Sequence, residues 1–330
     1  MPTVYAAMRN GLLVVPEDGE AAVRHLDRDV ECLAAHPEAP DRFFVGTFDE
    51  GLYRSTDGGD GLDRVGQDTL ESERVTAVAV DHADPDLVWA GTEPSQVYRS
   101  TDGGETWEPR PGIRDLPSED DWYFPPRPDT HHVRWIEPDP ADPNRLYVGV
   151  EAGALLRTDD AGATWRDRPE GARRDNHSLA THPDAPGRVY SAAGDGYAES
   201  RDGGDTWSYP QEGLGHTYCW SVVPAPDDPD TVVLSSATGP GAAHSPPDAT
   251  SYVYRRDDPD GEWERSMDGL PGPDGMARAV LDVDGETGTY YALTNRGLYR
   301  SGDDGRSWTE CDAPWDEEFV SQTPRGLAVL

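Results

Sequence analysis

Ser100-Thr101-Asp102-Gly103-Gly104-Glu105-Thr106-Trp107 decides the fold, because the chain repeats it. Ser200-Arg201-Asp202-Gly203-Gly204-Asp205-Thr206-Trp207 shares the pattern S-x-D-x-G-x-T-W, and residues 158–165 (TDDAGATW) and 301–308 (SGDDGRSW) are close variants. Residues 55–62 (STDGGDGL) keep the front half and lose the Trp, whereas residues 256–263 (RDDPDGEW) keep an Asp and the Trp. The aspartates Asp57, Asp102, Asp160, Asp202, Asp258 and Asp303 stand 45, 58, 42, 56 and 45 residues apart. Self-similarity at about 40–45 residues is the mark of a repeat architecture.

Each octet has the same surroundings. A short strand such as QVYRS or GLYRS precedes it, and before that comes another such as LVWAGT or TYYALT. Earlier still lies an Ala/Val-rich strand ending in a turn, as in AVAVDHADPD or SLATHPDAPG. Pro, Asp and Gly there are turn formers, through fixed φ, Asx bonds and tolerance of positive φ. One more short strand follows the octet. Four antiparallel strands per unit make a propeller blade. The octet then falls on the turn between the third and fourth strands. Its Ser and Asp bond backbone N–H groups, its fifth-position Gly supplies positive φ, and its Trp covers the blade's apolar flank. No octet carries the alternating ligand spacing of a calcium loop, so these aspartates read as structural and no metal is expected.

This pattern resembles the Asp-box, or BNR, repeat, and nearly the whole chain is similar to the Asp-box propeller superfamily. The resemblance implies the propeller fold and, for function, a choice among sialidase-like and xyloglucan-type glycosidases, sortilin-like receptor domains and photosystem II assembly factors. Six octets imply six blades, and the two ends supply a seventh. Residues 3–20 match the second and third strands of a unit, while residues 325–330 (RGLAVL) resemble the inner strand 76–81 (TAVAVD). The reading is one all-β domain over residues 1–330, a seven-bladed propeller whose C-terminal strand pairs with the N-terminal strands and leaves no open edge.

Charge bounds the partners. The chain has 28 basic residues, all arginine, against 64 acidic ones, a net charge of −36. No positive face is offered to nucleic acid or anionic membranes, and no apolar run reaches the roughly 18–20 residues of a membrane span. The acidity fits adaptation to high salt, where screening removes carboxylate repulsion. Residues 1–15 (MPTVYAAMRNGLLVV) lack the features of a signal peptide, so a cytoplasmic, monomeric protein is expected. Cys32, Cys219 and Cys311 form no C-x-x-C pair and read as buried thiols.

A binding site in such a ring belongs at the channel mouth. Two insertions, residues 112–130 and 236–251, fall on the mouth side, and Trp122-Tyr123-Phe124 in the first offer aromatic cover for a ligand. Aligning the inner strands places Glu31, Thr76, Arg134, His177, Trp220, Arg278 and Arg325 in one column. Three of these seven are arginine, where composition gives less than one. Arg134, Arg278 and Arg325, with His177, Trp220, His132 and Tyr218, therefore make a candidate pocket for a small anion, an organic acid or acidic sugar, with a protein partner as the other candidate ligand and no cofactor. The competing account is internal ion pairing with Glu31, Glu137 or Asp282. His131 and His132 are adjacent and point apart on a strand. As an enzyme the protein would be a glycoside hydrolase, its carboxyl pair drawn from Glu31, Glu137, Asp282 and Asp175, or Tyr218 acting as a sialidase-like nucleophile beside the three arginines. The expected departure from that pattern is in blade number and in the opening segment, and a binding protein is the preferred class.

Overall fold

A computed structural model describes residues 2–330 and contains seven antiparallel sheets among them. We number the blades 1 (30–65), 2 (75–110), 3 (133–167), 4 (176–200), 5 (218–265), 6 (280–310) and 7, which is split between the chain ends. Six sheets have four strands and blade 4 has three, with a bridge between Glu199 and Ser208 where the fourth would run. Among the described residues, helical structure is limited to three 3-10 turns and the five-residue helix Pro240–His244.

Blade 7 closes the ring as expected. Gly326–Val329 is its inner strand and pairs antiparallel with Val4–Met8, Ala6 facing Leu327. Closure through strands from both ends makes the ring depend on pairing across the whole chain and removes the exposed edges at the seam.

The second strands run in the middle of each blade and are buried on both faces, since neighbouring blades cover them. Val4–Met8, Phe43–Thr47, Val88–Thr92, Val189–Ala193 and Tyr290–Thr294 are buried at every position. This explains their continuous apolar runs in place of alternation. The apolar clusters lie between blades: Tyr5 and Phe43, from blades 7 and 1, pack with ring centroids 4.5 Å apart. The blades approach so closely that a Cβ on Gly46 would stand 2.5 Å from the Val75 carbonyl oxygen.

The octets form the predicted turns. Ser100 Oγ donates to Asp102 Oδ1 at 2.8 Å and accepts from the Gly104 N–H at 2.9 Å. Asp102 in turn accepts from the Thr106 N–H and hydroxyl at 2.9 and 2.6 Å. Gly103 and Gly104 have φ of +67° and +85°. Trp107 is buried and donates to the Gly104 carbonyl. The two amide bonds, one to the first-position hydroxyl and one to the aspartate, recur around Asp57, Asp160, Asp202 and Asp303. The hydroxyl bond to the aspartate is lost only at Asp57, where Gly61 replaces the Thr. The worn octet of blade 5 keeps Trp263 buried, but the Asp258 carboxylate accepts from the Asp260 amide at 2.9 Å in place of the Thr-position amide. The Thr106 hydroxyl and amide hold the Asp102 carboxyl down at about 2. Asp102→Ala is expected to lower stability by about 1–3 kcal/mol through lost turn bonds. Urea unfolding measures this, and an unchanged midpoint would make the octet decorative.

Candidate functional site at the channel mouth

The inner strands share a local irregularity that builds the site. In blades 1 to 5 the pairing register skips one residue at the mouth end: between Val30 and Cys32, Val75 and Ala77, Val133 and Trp135, Asn176 and Ser178, and Cys219 and Ser221. The skipped residues are Glu31, Thr76, Arg134, His177 and Trp220. A β-bulge bends its strand and re-aims the extra side chain. Arg278 and Arg325 occupy the corresponding places just before the inner strands of blades 6 and 7.

Trp220 is the hub. The Arg278 guanidinium carbon lies 3.4 Å from one of its ring centroids, and that of Arg134 lies 4.8 Å away. His177 stacks on it at 4.3 Å, and His244 meets it edge-on at 4.7 Å. His244 comes from the second insertion, whose short helix packs over the mouth and accepts the Arg278 amide at the Ala243 carbonyl. Burial and the Arg278 charge bring the His244 pKa down to about 2. The ring is therefore neutral: Nδ1 accepts from Arg278 Nε at 3.2 Å, and Nε2 donates to the Tyr218 hydroxyl at 3.2 Å. Burial pushes the Tyr218 phenol far up, so it stays protonated.

The three arginines differ in what holds them. Arg325 donates to Glu31 Oε2 at 3.2 Å. Arg134 pairs with Glu151 at 3.7 Å, beyond hydrogen-bond length. Arg278 is 1% exposed and, among the described residues, has no carboxylate partner. Its bonds go to His244 and to the Pro324 carbonyl, at 2.8 Å. Burial, with repulsion from Arg134 and Arg325, brings its pKa well below the ordinary arginine value. Internal pairing thus accounts for one arginine through Glu31 and for none through Glu137 or Asp282. Glu137 accepts from the Thr181 amide and hydroxyl at 3.0 and 2.8 Å. Asp282 accepts from the Val283 and Val329 amides, both at 2.8 Å, and ties blade 6 to the closing strand. Burial pushes its carboxyl up to about 7.

Further acidic groups at the mouth come from loops. Glu151 follows the second strand of blade 3, and Asp175 precedes the inner strand of blade 4. Glu151 Oε2 accepts from His132 Nε2 at 3.0 Å. Although burial alone raises it, the His132 bond and the nearby cationic charge hold the Glu151 carboxyl well below the usual range. Burial, reinforced by Glu151, pushes Asp175 up. Glu93, fully buried, is held by Arg127 at 2.5 and 2.9 Å and by Arg74 at 3.0 Å. Glu151, Glu93 and His244 lie on loops of different blades, and no sequence spacing marked them.

His131 and His132 do point apart: His131 bonds Ser95 and Glu119, His132 bonds Glu151. The aromatic trio behaves differently from expectation. Trp122 is buried in the apolar cluster between blades 2 and 3, its Nε1 bonded to Ser118 at 2.8 Å. Phe124 packs edge-on against His132, and Tyr123 alone is exposed. The 3-10 turns of the insertion fold its aromatic residues back onto the blade, where burial outweighs exposure at the mouth.

An open cavity of about 830 Å³ lies at the mouth between blades 7 and 1. Arg325 and His244 line it beside Arg9, Arg28, Asp27 and Asp49. Arg9 is held by Asp29 at 2.6 Å and Arg28 by Glu50 at 3.5 Å. Arg278 bonds His244 and does not itself line the cavity.

Fold, turn chemistry and closure together define the class: the chain is a seven-bladed Asp-box β-propeller. A family model for the BNR/Asp-box repeat matches residues 98–109. The chain is similar in structure to an ancestral GH74 enzyme, with 16% identity, a TM-score of 0.67 and coverage of 96% of this chain and 41% of that one. For the GH74 enzyme of Niastella koreensis the values are 15%, 0.66, 94% and 55%. This chain thus spans about half the length of these enzymes. For YCF48 bound to D1 peptide they are 17%, 0.59, 89% and 83%. No curated protein sequence matches. Identities this low carry the fold and leave function to the site. Among the described residues no helix is long and apolar enough to cross a membrane.

Proposed function

We propose that this propeller is a binding protein that takes a small organic acid or acidic sugar at its channel mouth. The observation that carries this reading is Arg278. A buried guanidinium without a carboxylate is costly, because a buried charge needs both a counterion and hydrogen bonds. Indole contact and two neutral acceptors offset part of that cost, and Arg134 and Arg325 add repulsion. One carboxylate entering past His244 supplies the missing charge. The planar guanidinium favours such a bidentate acceptor, and Trp220 favours an apolar or sugar face beside it. The cavity leading to His244 and Arg325 supports access.

Calorimetric titration tests this at constant ionic strength, with glucuronate, N-acetylneuraminate and citrate each compared with a neutral ester. At least one acid is expected to bind, its ester at least about tenfold more weakly, the weight of a single charge-assisted contact. Arg134→Ala is expected to abolish binding while the melting curve stays cooperative. Equal binding of acid and ester, or no binding of any acid, overturns the reading.

Glycoside hydrolysis is the second reading, favoured by Glu151 and Asp175. Each offers a carboxylate oxygen within 4.8 Å of the other, and their environments push the two pKa values apart. Neither carboxylate lines the open cavity, and neither do Arg134, Arg278 and Trp220, so turnover decides between the two readings. Turnover of chromogenic glycosides that Asp175→Asn abolishes would favour hydrolysis over binding alone.

A further inference from the structure

His177 is the point of departure. It is 1% exposed, and its Nδ1 lies 2.6 Å from the Cys219 carbonyl oxygen. A carbonyl only accepts, so Nδ1 carries the proton and Nε2 presents a lone pair. That Nε2 is buried and, among the described residues, has no hydrogen-bond partner. It faces Asp175 Oδ2 at 3.8 Å and Glu151 Oε1 at 4.0 Å. Three acceptors therefore converge.

The rest of each side chain is already engaged. Glu151 Oε2 is taken by His132 and Arg134. Asp175 Oδ1 accepts from the Ala152 amide at 2.8 Å. Each residue is thus oriented by one atom and offers another to a common point. This is the arrangement in which outer contacts fix a metal ligand, and a histidine whose second nitrogen donates to a backbone carbonyl is its usual form. Gly194 makes room, since a Cβ there would stand 2.0 Å from Asp175 Oδ2.

We propose that Glu151 Oε1, Asp175 Oδ2 and His177 Nε2 form a site for one divalent transition-metal ion, zinc by preference. Mixed nitrogen and oxygen donors suit zinc, whereas calcium and magnesium favour oxygen alone. The three candidate donor atoms lie within 4.8 Å of one another. Ligand bonds of about 2.1 Å around a tetrahedral ion require donors about 3.4 Å apart, so a small inward movement completes the set. A shared proton is the alternative cation, but 3.8 and 4.0 Å exceed hydrogen-bond length. Three protein ligands leave a position open to water or an incoming oxygen. This inference does not depend on the anion reading.

The test is titration of chelator-stripped protein with zinc chloride in molar sodium chloride and excess magnesium, which occupies the surface carboxylates. Elemental analysis after dialysis and calorimetry should both give one zinc per chain. His177→Gln and Asp175→Asn should each weaken binding at least about 100-fold, more than the loss of an outer-shell contact. Gly194→Ala, whose Cβ would collide with Asp175 Oδ2, should weaken it by displacing that carboxylate. Melting curves in chelator establish which variants fold, and wild-type stoichiometry decides the matter even where one does not. Substoichiometric zinc in the wild type, or folded variants that bind zinc as the wild type does, overturns the proposal.

Discussion

Glu199→Ala is expected to lower the unfolding free energy by about 3–5 kcal/mol, the usual cost of removing one partner of a buried ion pair. Glu199 lies on the third strand of blade 4 and is 2% exposed. It pairs with Arg188 at 2.7 Å and, across the blade boundary, with Arg256, which is 1% exposed. Arg188 also reaches Asp230 of blade 5 at 2.8 Å. The alanine would strand the Arg256 guanidinium between Tyr197 and Trp263, with aromatic faces as its remaining support. Urea is the proper denaturant, since guanidinium chloride would change ionic strength along the titration. Replacing both residues by apolar ones, Glu199→Leu with Arg256→Met, should recover much of the loss, because the desolvation cost of that pair disappears with its charges while Arg188 keeps Asp230. A single-variant loss below about 1 kcal/mol would show that the Glu199 ion pairs contribute little to holding blades 4 and 5 together.

The second large effect is salt. The chain carries 36 net negative charges on 13,000 Å² of surface. The screening length falls from about 10 Å at 0.1 M salt to about 3 Å at 1 M. Exposed carboxylates repel over the first distance and are largely independent over the second. The melting temperature is expected to rise by on the order of 10 °C between 0.1 and 2 M sodium chloride, which for a chain this long corresponds to a few kcal/mol. Sucrose at matched water activity is the control, because it favours burial without screening charge. A flat melting temperature in sodium chloride would separate the acidity from stability.

The blade repeat was readable because its determinants are local. Ser100, Asp102 and Gly104 close their turn within one octet, and strands such as Val88–Thr92 carry their own burial pattern. Even the ring closure was legible, since the closing strand at 325–330 resembles the inner strands of other units. The mouth column could be aligned for the same reason, as each of its residues holds the same place in its blade. What each column residue does there was not legible. Arg325 meets Glu31, which is 294 residues away in sequence, while Arg278 meets a histidine from an insertion. Asp282, a candidate partner for arginine, spends its carboxylate on backbone amides of the closing seam.

The sequence by itself determined the turn between the outer strands and the placement of one residue per blade at the mouth, because these follow from interactions within one repeat. It determined the number of blades because the closing strand repeats the inner-strand pattern, although its partner lies at the other end of the chain. Only the tertiary structure decided that Glu151, Asp175 and His177 converge, that His244 covers Arg278 and that Trp122 turns inward. Those meetings depend on the radius of the ring and on which side chain each bulge re-aims, and residues from different blades that meet there share no spacing in the sequence.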